Sequence, residues 1–160
     1  MNTSSLVQSN SHDRDFCLWI QETIRSLRSG DLNEIEIDHL IEELEDMGNS
    51  QKDALESNLI RVFQHLLKWK YQKQKRSNSW KASITEHSLR LNKAFKKIPS
   101  LRQYFEQVFD ECYTDARLIT SRETGLDLEH FPETCPFSPS DVLNPQYLPE
   151  SEDTSSDNQF

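Results

Sequence analysis

The chain is poor in glycine and in cysteine, with three of each in 160 residues. Glycines spread out at Gly30, Gly48 and Gly125 cannot build a phosphate-cradling loop, which needs several within a few positions. Cys17, Cys112 and Cys135 are odd in number and far apart. They read as free thiols in a reducing compartment, and none is spaced to ligate a metal with another. Long apolar runs are missing too: nothing approaches the ~18–20 residues of a membrane span. The opening stretch "MNTSSLVQSNSHDRD" lacks the basic region and apolar core of a secretory leader, so a cytoplasmic protein with no membrane contact is expected. Acids nearly vanish from one block: between Arg61 and Arg102, Glu86 stands alone against twelve bases.

That block sits inside an acidic protein. The net charge is −9, made of −9 over residues 1–60, +11 over 61–102 and −11 over 103–160. An acidic total argues against general polyanion binding, while a local basic block still permits it. The length suits one domain with one hydrophobic core.

What the sequence has in quantity is helical periodicity. In "DFCLWIQETIRSLRSG", Phe16, Trp19, Ile20, Ile24 and Leu27 fall on one face, with Asp13 or Asp15 as cap and Gly30 as stop. A second helix carries Ile37, Leu40, Ile41, Leu44 and Met47 and is expected to stop at Gly48. Ser50 then caps a third, to about Gln72, whose wide apolar arc from Leu55 to Trp69 marks it as the central helix. A fourth runs from about Ser79 to Lys97. Pro99 ends it, and Ser100 with Gln103 forms a candidate capping box for the fifth, which closes at Gly125. Short connections such as "GNS" favour antiparallel neighbours.

After Gly125 come five of the six prolines, interleaved with Phe131, Phe137, Leu143, Tyr147 and Leu148. This composition predicts an extended strap on the bundle, with one helical turn near Ser138–Val142. The expected architecture is all-α: an irregular bundle of about five amphipathic helices with a proline-rich C-terminal strap. Residues 1–12 are expected to be a disordered N-terminus, 13–149 one helical domain, and 150–160 a disordered acidic tail.

The segments "DFCLWIQETIRSLRSG", "IDHLIEELEDMGNSQ", "LLKWKYQ", "SWKASI", "IPSLRQY", "DARLITSRETGL" and "FPETCPF", in that order, resemble a largely cyanobacterial, all-helical family of uncharacterised role, domain of unknown function 29. The resemblance spans about residues 14–149. It implies an all-helical, cytoplasmic bacterial protein, and it carries over no catalytic residue and no ligand.

Three constellations compete for a function. The first is the basic stretch "HLLKWKYQKQKRSNSWK", in which Lys68, Lys70, Lys73, Lys75 and Arg76 could neutralise phosphates. Trp69 and Trp80 lie on apolar stripes and are expected to face the core, so they cannot stack on bases. The plainer reading is a solvated turn. The second is the acidic segment Asp31–Asp46, with eight carboxylates and no Lys or Arg. It suits a basic partner, or a solvated face balanced by the basic block. The third is a bundle metal site from Glu45, His65 and His87. Glu-x-x-His spacing is absent, and a histidine on an apolar face is more often a hydrogen-bonded core residue. Cys112 reads as packing, and Cys135 in "PETCP" as the most exposed thiol. No catalytic residues and no cofactor are expected. The preferred function is a non-enzymatic interaction module whose unknown protein partner reads the charge-polarised surface, with head-to-tail self-association at low salt. Nucleic-acid binding and a metal-dependent enzyme are the alternatives.

Overall fold

The computed structural model describes residues 15–150, and the expectations for 1–12 and 151–160 lie outside that range. Among the described residues there are five α-helices and no strand: α1 (Phe16–Ser29), α2 (Ile37–Tyr71), α3 (Asn78–Lys97), α4 (Leu101–Thr124) and the single turn α5 (Pro139–Val142). The all-α class is as the periodicity required. No helix among them is long and apolar enough to cross a membrane.

Most boundaries obey local chemistry. Asp15 Oδ1 accepts the Leu18 N–H at 3.1 Å and starts α1. Gly30, at φ 74°, ends it: the Gly30 N–H reaches the Leu27 carbonyl and the Asp31 N–H the Ser26 carbonyl. Ser77 caps α3 through the Trp80 N–H. In α5, Ser138 and Asp141 form a reciprocal capping box with Pro139 in the first turn. Two expectations fail. Ser100 is itself helical and makes no side-chain cap, so no Ser100–Gln103 box forms; the turn after Pro99 closes instead through the Arg102 N–H to the Pro99 carbonyl. The helix break at Gly48 is also absent, because α2 runs unbroken through "GNS". There is thus no antiparallel pair joined there. The reason lies in phase: Ile41, Leu44, Gly48, Gln51, Leu55 and Leu59 follow one another at steps of three and four, so nothing in the stripe demands a turn.

Packing divides the chain at Ser50 into two units. In the first, the described side chains that are buried are Trp19, Thr23 and Ile35. In the second, the C-terminal half of α2 supplies Leu55, Leu59, Val62, Phe63, Leu66 and Leu67, each 1 % exposed or less, as the expected central helix. Phe63 meets Phe109 and Tyr113 edge-on at 5.0 and 5.5 Å and stacks with Phe137 at 6.4 Å. Leu91, Phe105 and Ala116 complete the layer from α3 and α4.

The strap packs as expected, with Phe131, Phe137 and Val142 buried. Its backbone is held by side-chain donors. On α3, Thr85, Ser88 and Asn92, spaced to share a face, donate to the carbonyls of Pro145, Val142 and Leu143 at 2.8, 2.9 and 2.8 Å. On α4, Arg117 Nε donates to the Phe131 carbonyl at 3.0 Å and the Tyr113 hydroxyl to the Pro132 carbonyl. Two of the five gripped carbonyls, those of Pro132 and Pro145, belong to residues with no N–H of their own.

Candidate functional site

The basic stretch straddles the end of α2, a turn at Lys73–Lys75 and the start of α3. Its members have different fates. Lys68 is buried; its ammonium donates to Glu123 Oε1 at 2.8 Å and lies 5.3 Å from the Trp80 ring centre. Gln64 Nε2 also reaches Glu123, at 3.5 Å. Arg76 folds back on α2: its Nε donates to the Trp69 carbonyl at 2.7 Å and its guanidinium stacks 4.8 Å from the Trp69 ring centre. Lys70 is half-buried against Tyr71, and Lys73 and Lys75 are exposed on the turn. Of the bases named from sequence, then, Lys68 and Arg76 are turned to the protein's own groups, and Lys70 lies over the Tyr71 ring. Trp69 and Trp80 are both half-buried, and Trp69 packs on the core.

The histidines and Glu45 are placed differently again. Glu45 is exposed and belongs to the first unit, while His65 and His87 belong to the second. His65 Nδ1 lies 2.8 Å from the Arg61 carbonyl, and His87 Nδ1 lies 2.8 Å from Asn58 Oδ1. Burial lowers both imidazole pKa values below 6.5; for His65 the Arg61 carbonyl opposes this and Lys68 adds to it. Among the described residues no three His, Cys, Asp or Glu side chains are grouped to hold a metal. The thiol order also changes. Cys17 is the exposed cysteine, whereas Cys135 is half-buried with its Sγ 3.3 Å from the Phe137 carbonyl. Burial pushes Cys112 up to about 12 and Cys135 up to about 11, so neither supplies thiolate at neutral pH.

The first unit holds what the sequence reading missed. Of the thirteen large hydrophobics that are exposed among the described residues, nine lie between Phe16 and Met47. On α2 they form a stripe: Ile37, Ile41, Leu44 and Met47 are 51, 48, 57 and 64 % exposed. This is the stripe that the helical period picks out in the sequence. Ile24 and Leu27 add exposed apolar surface on α1. Isolated exposed leucines are ordinary; a row of four at helical spacing is not. Asp38, Glu42 and Glu45 border the row on one side and Glu43 on the other.

The family described as domain of unknown function DUF29 matches residues 11–148. The chain belongs to that family. DUF29 membership assigns no chemistry to either the basic turn or the apolar row. No curated protein and no solved structure matches the chain.

Proposed function

We propose that the chain is a non-enzymatic protein-interaction module that docks its partner on the first unit. The observation carrying this reading is the bare apolar row Ile37–Ile41–Leu44–Met47, rimmed by carboxylates. The described part of that unit buries only Trp19, Thr23 and Ile35, and covering the row would bury up to four more side chains, at roughly 1.5–3 kcal/mol for each large aliphatic one fully buried. The nucleic-acid alternative rests on a smaller set of bases than the sequence offered, since Lys68 is paired with Glu123 and Arg76 is held on Trp69.

The test is affinity purification of the full chain from its own cells beside the Ile41→Ser/Leu44→Ser variant. A protein recovered in fixed ratio with the parent chain and lost with the variant is the expected result. Identical recoveries refute the reading.

A further inference from the structure

We infer that the occupant of the α2 row is a basic amphipathic helix from another protein, an inference that rests on the docking reading above and adds the partner's chemistry. The row has the geometry of one side of a helix pair: four aliphatic side chains at steps of four, three and three on a continuous helix. Such a row receives anchors spaced in the same way. Its rim fixes the sign of the partner. From Ser29 to Gln51 the chain has no Lys or Arg, and the exposed carboxylates Asp38, Glu42 and Glu45 stand along one edge of the row. A helix with lysines or arginines flanking its apolar anchors meets opposite charge along that edge, whereas an acidic helix with the same anchors meets repulsion.

The rim also argues against a second copy as the occupant. Two copies joined through this row set carboxylates against carboxylates. The exposed hydrophobics of the second unit, Leu89, Leu118, Ile119 and Leu128, do not make a row at helical spacing that could serve as anchors. Residues 1–14 bring Leu6, Val7 and Met1 as apolar side chains and Arg14 as base, too few to match the row and its rim. An anionic lipid surface is disfavoured by the same carboxylates.

The test uses the full chain and three labelled synthetic peptides of about 18 residues, long enough to form a helix on docking. One carries leucines at helical spacing among lysines, the second the same leucines among glutamates, and the third the same lysines with serine for each leucine. Fluorescence anisotropy reads binding at ~50 and ~200 mM salt. The leucine–lysine peptide should bind and weaken several-fold with salt. Ile41→Ser/Leu44→Ser should weaken it about tenfold or more, and Glu42→Gln/Glu45→Gln should remove much of the salt dependence. The other two peptides should not bind comparably. All four substituted side chains are exposed, so an unchanged melting temperature checks that the variants still fold. Binding of the lysine–serine peptide as tightly as the leucine–lysine one overturns the inference, and so does indifference to the Ile41/Leu44 change. Light scattering separates the two levels. A parent dimer that Ile41→Ser/Leu44→Ser turns into monomer keeps the docking reading and sinks the basic helix. Monomer in both, with no peptide bound, removes both.

Discussion

Removing Glu123 isolates a positive charge inside the protein, and the cost follows from where the pair sits. The Lys68 side chain is 8 % exposed and the Glu123 side chain 46 %, with 2.8 Å between Nζ and Oε1. Deleting one partner of a fully buried pair costs about 3–5 kcal/mol, and an unsatisfied buried polar group about 1–3 kcal/mol. Here the carboxylate side is half open, so water can follow a truncated Glu123 toward the ammonium. The Trp80 ring, 5.3 Å away, gives the charge some compensation. Glu123→Ala should therefore cost about 2 kcal/mol. Lys68→Met removes the charge and keeps the buried stem, and the surviving carboxylate rehydrates; its cost should be under about 1 kcal/mol. The double variant should match Lys68→Met within about 0.5 kcal/mol, because the charge that made Glu123 necessary is gone. Urea unfolding followed by the fluorescence of Trp69 and Trp80 measures all three. In a chain of this size Glu123→Ala should also lower Tm by about 4–8 °C. If Glu123→Ala is neutral, or Lys68→Met is the more damaging, Lys68 does not depend on Glu123 and the argument falls.

Two further outcomes are expected. Because burial lowers the pKa values of His65 and His87 below 6.5, the unfolded chain binds more protons as pH falls through that value, so stability present above it is lost on acidification. Between about pH 7.5 and 5 the melting temperature should fall, with Lys68, Arg61 and Glu123 setting the balance at His65 and Glu86 and Arg90 at His87. His65→Gln/His87→Gln should flatten that slope, and an unchanged slope contradicts the assignment. Gly48→Ala should stabilise the protein by about 0.5–1 kcal/mol, since the position is helical and open space surrounds an added Cβ. A loss of stability in urea unfolding would mean that the helix does not pass through Gly48.

The ends of α1, α4 and α5 were legible because each depends on one residue's chemistry: Gly30, Gly125 and Ser138 act on their immediate neighbours. Gly48 misled for the same reason. Its local preference points to a stop, and Ser50 looks like a cap, but the cost of a helical glycine is only about 1 kcal/mol and the flanking stripe is already in register. The buried Lys68 was beyond reach. Its partner lies 55 residues later, and next to Trp69 and Lys70 it reads as surface. Periodicity likewise identified the row on α2 without saying what covers it. A helical period reports that one face is apolar, and burial is decided by what packs there.

The carbonyl-gripped strap has a consequence for how the protein could be taken apart. Thr85, Ser88, Asn92, Arg117 and Tyr113 bind it much as a receptor binds an extended peptide, through backbone acceptors with apolar anchors between them. What distinguishes it from a peptide is the tether. A short connection at Gly125–His130 keeps the ligand at an effective concentration of order millimolar or above. A single nick beside the exposed Glu129 turns one folding reaction into a folding reaction plus an association, and from then on the integrity of the core around Phe137 depends on protein concentration.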